Sequence, residues 1–222
     1  MGKKTALNGE EYINLGLILK RNRSEENEKM VRDILNQDIP VEKKILEIER
    51  IDKRARERQI RKRYYTFLEK STDPRIRSNL KRIQNETKYG FPIVEKDYSL
   101  TYILLIDDLT YITKTVSYVL QKEGFKVYTS RNGIEGIINF QKVLPDVVIT
   151  DIRLPDFNGF EIATLMRKIN EEIPIIFITA INVDKKSFDL IEGKKAYLQK
   201  PIKREVLLET ISRLLREDEK NT

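Results

Sequence analysis

Asp107, Asp108, Asp151, Thr179 and Lys200 each stand at the end of a short run of mainly apolar or β-forming residues. Asp107 and Asp108 close LLI, Asp151 follows DVVIT, Thr179 closes PIIFIT, and Lys200 closes AYLQK with Pro201 behind it. Adjacent carboxylates repel, so a buried run ending in two of them needs a positive partner. Three carboxylates at one place call for a cation. A hard divalent ion such as Mg²⁺ prefers oxygen ligands and keeps some of its waters. A hydroxyl and an ammonium facing that ion suit a phosphoryl group, because both donate to its equatorial oxygens. A carboxylate placed centrally can then act as the nucleophile and form an aspartyl phosphate. Taken singly, each residue has an ordinary reading: a helix N-cap for an aspartate, a strand residue for the threonine, a surface lysine. The chemistry belongs to the set.

The set acts together only if the runs are parallel strands whose carboxyl ends open on one sheet edge, where ligands of such sheets bind. TYILLI (101–106), KVYTS (126–130), DVVIT (146–150), PIIFIT (174–179) and AYLQK (196–200) read as five strands. DVVIT and PIIFIT are continuous apolar runs, as strands buried on both faces require. Between and after them lie five helical stretches: 113–124, from Asn132–Gly133 to near Pro145, 159–172, 183–192 and 203–217. The alternation predicts a three-layer α/β domain with a parallel sheet and right-handed crossovers.

In IDD (106–108), TDIRLPDFNG (150–159), FITA (177–180) and YLQKP (197–201), the chain resembles the receiver domain of bacterial two-component response regulators. The spacings also resemble that family: 43 residues from Asp108 to Asp151, 28 to Thr179 and 21 to Lys200. The resemblance covers about residues 100–218 and implies a flavodoxin-like (βα)5 fold with a five-stranded parallel sheet. It further implies that Asp151 is the phosphoacceptor. Asp107 and Asp108, with Asp151 and the backbone carbonyl of Arg153, would hold Mg²⁺. Thr179 would move to hold the phosphoryl group, Lys200 would pair with its charge, and the bond to Pro201 would be cis. Tyr197 would be the aromatic switch that turns inward when Thr179 moves, Ala180 is small as the family requires, and Gly159 would serve a turn of positive φ. Lys194 and Lys195 depart from the small or acidic residues common there. They border the face made by the last strand and its flanking helices, so they imply an unusual partner at the usual signalling face. The resemblance also implies a switch rather than an enzyme, transferring a phosphoryl group only to itself and to water. A metal-dependent phosphohydrolase shares acidic strand ends, but Arg153 stands where it would carry a second aspartate.

The 222 residues suit one large or two small domains. Cysteine and histidine are both absent. That excludes disulfides, thiol and Ser-His catalysis, the usual zinc sites and a phosphohistidine on this chain. The phosphodonor is therefore external: a histidine kinase, a phosphotransfer protein or a small phosphodonor. No segment reaches the roughly 20 apolar residues of a membrane span, and the first residues lack the apolar core of a signal peptide. A cytoplasmic protein with no membrane partner is the expectation.

Residues 1–98 carry 24 Lys+Arg against 17 Asp+Glu, and residues 99–222 carry 18 of each. All the excess positive charge lies in the first part, which predicts two units: a basic all-α region over 1–98 including a linker, and the receiver over 99–222. Helices are read over 10–21 and 24–37, from Val41 to about Ser71, and from Asp73–Pro74 to near Gly90, with a linker over 87–99. The sharpest feature is RIDKRARERQIRKRYY (50–65). Its Arg50, Lys53, Arg54, Arg56, Arg58, Arg61, Lys62 and Arg63, followed by Tyr64, Tyr65 and Phe67, are candidates for lying on a phosphate backbone. The other reading is a solvated helix whose apolar line (Ile45, Ile48, Ile51, Ala55) packs on neighbours or on a second copy, and that line fades after Ala55. A protein-interaction module is the rival output. A helical region ahead of a C-terminal receiver resembles, in order only, stress-response regulators whose sigma-factor-like part sequesters an anti-sigma factor. A third reading is a dimerisation or docking arm, with the receiver itself binding the target; a homodimer on phosphorylation is a separate expectation.

Overall fold

The structure, a computed structural model, describes residues 25–79, 82, 94, 96–180 and 188–220. The helix expected over 10–21, the first half of that over 183–192, the end of the helix opened by Asp73–Pro74 and most of the linker lie outside them. The chain divides into two compact units that part between Ile60 and Arg61.

The first unit holds α1 (Glu25–Leu35) and most of α2 (Val41–Lys70). Val31 and Ile34 of α1 form a small core with Ile48 and Ile51 of α2. Pro40 stands at the N-cap of α2: Lys43 and Lys44 donate their backbone N–H to its carbonyl. The Lys44 ammonium donates to the Leu35 carbonyl at 2.8 Å, satisfying an orphan acceptor at the end of α1.

In the second unit a five-stranded parallel sheet has the order β2-β1-β3-β4-β5. The strands are β1 (Tyr102–Ile106), β2 (Lys126–Ser130), β3 (Val147–Asp151), β4 (Ile175–Thr179) and β5 (Lys195–Gln199). Every residue of β1, β3 and β4 is buried, whereas the edge strands β2 and β5 are partly exposed. This is why the central runs are continuously apolar. The helices α3 (Thr110–Lys122), α4 (Gly133–Val143), α5 (Gly159–Ile169) and α6 (Arg204–Lys220) complete the flavodoxin-like order. One core joins Ile103, Leu105, Ile149 and Ile176 to Val116 and Leu120 of α3 and to Leu207, Ile211 and Leu214 of α6. Phe140 of α4 and Ile162 and Met166 of α5 are buried as well. The strand order reverses direction between β1 and β3, so a crevice opens at their carboxyl ends.

Residues 61–79 lie in this second unit. Tyr64, Leu68 and Ile76 are fully or almost fully buried there. The apolar line of α2 therefore resumes beyond Ala55, because the last turns of the helix carry a second buried face. Asp73 caps the helical residues 74–79: its carboxylate accepts the N–H of Arg75 at 2.8 Å, and Pro74 takes the first helical position.

Candidate functional site

β1 hands the chain from Ile106 to Asp107, whose side chain is fully buried, and to Asp108, which is exposed. The Asp107 carboxylate accepts the N–H of Leu109 at 2.9 Å, which turns the chain toward α3. β3 delivers Asp151, 6% exposed, and Asp151 accepts the N–H of Arg153 at 3.1 Å. β4 ends in the buried Thr179. The residue after β5 is Lys200, positioned by its own N–H donating to the Thr179 carbonyl at 2.8 Å. Its ammonium reaches back across the crevice and donates to Asp107 Oδ2 at 2.7 Å and Asp151 Oδ2 at 2.5 Å. The Lys200–Pro201 peptide is cis.

Carboxylate oxygens of Asp107, Asp108 and Asp151 lie within 4.8 Å of one another. Burial pushes the Asp107 carboxyl above the ordinary range, although the hydrogen bond from Lys200 pulls it back. Burial lowers the Lys200 ammonium, but its bonds to Asp107 and Asp151 outweigh that, and it sits above its ordinary value. The pairing thus stabilises the charge on Lys200 without fully relieving Asp107. One ammonium leaves three clustered carboxylates under-neutralised. An all-oxygen set with one exposed member, open to water, fits a hard divalent cation.

The segment after Asp151 is a closed loop. Arg153 and Asn158 form an isolated antiparallel bridge, and Gly159 donates its N–H to the Ile152 carbonyl at 2.8 Å. Gly159 is not among the residues of positive φ, so the sequence reason for it is corrected. A Cβ there would lie 2.3 Å from the backbone oxygen of Asp151. The position needs glycine for close approach, not for a left-handed turn. Asn158 and Glu161 form a capping box at the start of α5. Asp156 was not singled out in the sequence, yet its carboxylate accepts the N–H groups of Gly133 and Ile134 at 2.7 and 2.9 Å, satisfying the first turn of α4. Its signal is slight, one aspartate five residues beyond another.

Tyr197 is half-buried on β5, with its ring centroid 6.4 Å from that of Phe188. Ala180 follows Thr179 and is exposed. Lys195 is committed locally: its ammonium lies 4.9 Å from the centre of the Phe188 ring and donates to the carbonyls of Asp189 and Ile191.

The basic candidates are spread out. Arg56 pairs with the buried Asp52 at 2.5 Å, and Arg58 donates to Asn27 at 3.2 Å. Arg61 donates to the Gln141 carbonyl at 2.7 Å, and Arg63 pairs with Glu171 at 3.4 Å. Arg50, Lys53, Arg54 and Lys62 are exposed. Tyr64 is fully buried, so it cannot join Tyr65 and Phe67 in an aromatic surface. Arg61 and Arg63 belong to the second unit and turn to its own acceptors.

Residues 103–212 match the model of the response regulator receiver domain. The chain is 34% identical over 116 residues to the protein PilH of Pseudomonas aeruginosa, covering 51% of this chain and 96% of that protein. It is 37% identical over 121 residues to the transcriptional regulatory protein TrcR of Mycobacterium tuberculosis, covering 54% of this chain and 47% of that protein. This chain spans about half the length of that regulator, as it does of the transcriptional regulatory protein CreB of Escherichia coli. Among solved structures it is similar to a CheY-like response regulator receiver domain protein from Methanospirillum hungatei, at 30% identity and a TM-score of 0.52, over 55% of this chain and 99% of that one.

Proposed function

The chain belongs to the response regulator receiver family of two-component systems, and from that premise we propose that Asp151 is its phosphoacceptor and Mg²⁺ its cofactor. One observation carries the reading: Lys200 bridges Asp107 and Asp151 while the three carboxylates stand within 4.8 Å. A carboxylate oxygen of Asp151 attacks the phosphorus of the donor. The bond from phosphorus to the donor's nitrogen or oxygen breaks, and its electron pair leaves with the donor. Lys200 Nζ holds Asp151 and takes up charge on the arriving phosphoryl group, and the Thr179 hydroxyl donates to another of its oxygens. Mg²⁺, held by Asp107, Asp108, Asp151 and the carbonyl of Arg153, would neutralise the phosphoryl oxygens. Attack of water on phosphorus later returns the free carboxylate and inorganic phosphate. The protein is thus a switch and not an enzyme with an external product. The donor is a histidine kinase, a phosphotransfer protein or a small acyl phosphate.

Thr179 and Tyr197 are the moving parts of the switch, and movement there shifts a two-state equilibrium. For output we favour nucleic-acid binding through the exposed Arg50, Lys53 and Arg54, a reading supported by relatives named as transcriptional regulators. Docking to a protein partner is the second reading, favoured by the engagement of Arg61 and Arg63 within the chain. The site assignment is tested with beryllofluoride, which stands in for the phosphoryl group on Asp151. Fluorine NMR should show a bound, Mg²⁺-dependent signal that Asp151→Asn removes. A signal that survives the substitution would contradict the assignment.

A further inference from the structure

All five N–H donors of the Arg75 guanidinium are engaged. Nε and Nη2 donate to Asp73 at 3.1 and 2.8 Å, Nη1 and Nη2 donate to Glu161 at 3.1 Å each, and Nη1 also donates to the Asp156 carbonyl at 3.1 Å. Its Cζ lies over the buried Phe157 ring, 3.8 Å from the centroid. Four of these contacts, two to Glu161, one to the Asp156 carbonyl and one to the Phe157 ring, are made with the loop after Asp151 and the helix it enters. The Asp156 carboxylate fastens the same loop to α4. Its base is closed by the Arg153–Asn158 bridge, and the Arg153 N–H holds Asp151. Arg153 therefore sits in a short loop pinned at its base, at its tip and at its exit, and the tip is pinned by a residue 76 positions before Asp151 in the chain.

We infer that residues 73–79 form a clasp that preorganises the cation side of the phosphoacceptor site, Arg75 holding the Asp156–Phe157 tip and Glu161 so that the Arg153 carbonyl is already placed for Mg²⁺. The inference rests on the reading of Asp151 and Mg²⁺ above and adds to it a residue in the N-terminal half. Binding to a loop that is already ordered costs less conformational entropy. Coupling of this kind is reciprocal, so Mg²⁺ tightens the clasp by the same factor that the clasp tightens Mg²⁺, and a phosphoryl mimic on Asp151 adds to it. Ile76, fully buried, seats the clasp in the second unit. The state of the site is thus felt at residues 73–79 through the loop after Asp151. A surface ion pair with no role in the site would leave Mg²⁺ affinity untouched and add little stability.

The test uses the full chain and two readouts: Mg²⁺ affinity by calorimetry, and hydrogen exchange over residues 73–79 with and without Mg²⁺ plus beryllofluoride. In the unsubstituted protein, exchange over 73–79 should slow when both are added. Arg75→Ala should weaken Mg²⁺ binding about fivefold or more, the lower end of typical coupling. Arg75→Lys keeps the charge without the fork, and should fall between. Glu161→Gln keeps an acceptor for the capping box but not the charge, and should weaken Mg²⁺ in the same direction. These two carry the test if Arg75→Ala does not fold. Unchanged or faster exchange over 73–79, in a protein that binds Mg²⁺ and beryllofluoride, would overturn the clasp alone. So would variants that bind Mg²⁺ as tightly as the parent. A parent that binds neither probe would overturn the clasp together with the site assignment.

Discussion

Removing Lys200 would leave Asp107 and Asp151, both buried, without the ammonium that now bridges them. Breaking a buried pair on one side costs about 3 kcal/mol or more, because the remaining charge stays desolvated. Lys200→Ala should therefore lower the denaturant midpoint in the absence of divalent ions. Mg²⁺ should restore more stability to the variant than it adds to the parent, since only the variant lacks any counter-charge. Equal gains would mean that the ion does not enter among these carboxylates. Gly159→Ala tests the neighbouring backbone. Its Cβ would press on the Asp151 carbonyl from 2.3 Å, and backbone there cannot rotate away as a side chain could. The expected cost is about 1–3 kcal/mol by chemical denaturation. That Asp107, Asp108, Asp151 and Lys200 come together was legible in the sequence, because each follows a run that reads as a strand and parallel strands end on one sheet edge. The reason for Gly159 was not, because a close approach across a closed loop leaves no local mark, whereas positive φ is the usual excuse for a glycine.

The elements were read well where period and punctuation agree. The strands fall within about one residue of the runs that announced them, and Asp73–Pro74 opens a helix as an N-cap followed by proline should. The end of α2 was harder. Tyr64 and Leu68 resume a buried face after charged turns, and a search for one continuous apolar line stops at Ala55. The contacts of Arg75 were invisible for another reason: Glu161 lies 86 positions away, and a single arginine carries no spacing pattern. That element has its own pH signature. The hydrogen bond from Arg75 holds both Asp73 and Glu161 below their ordinary carboxylate values of 3.8 and 4.5. Depressed carboxylates contribute stability that is complete above their unfolded values and is lost as pH falls through the folded ones. The stability difference between the parent and Arg75→Ala should thus be constant from pH 7 down to about pH 5 and shrink below pH 4. Denaturation midpoints of the two proteins across that range measure it. A difference that persists at pH 3 would assign the clasp to the contacts that do not titrate, those with the Phe157 ring and the Asp156 carbonyl.

At the scale of the whole molecule, the charge split and the compact units do not coincide. The excess of positive charge extends over residues 1–98, yet residues 61–79 are packed with the sheet unit. Composition reports which residues share a character; it does not report where a helix changes partners, and α2 does so between Ile60 and Arg61. If the exposed Arg50, Lys53 and Arg54 meet a phosphate backbone, binding should weaken steeply with salt, and replacing all three by Ala should flatten that dependence. Beryllofluoride with Mg²⁺ should change the affinity. Binding that is absent in both states would assign the output to a protein partner. All of this depends on one event at Asp151, and the most direct measurement is the intact mass of the full chain after exposure to an acyl phosphate. With Mg²⁺ present the protein should gain one phosphoryl group, sensitive to alkali as an acyl phosphate is, and Asp151→Ala should gain none. A phosphoryl group carried equally by Asp151→Ala, or gained equally without a divalent ion, would contradict the account.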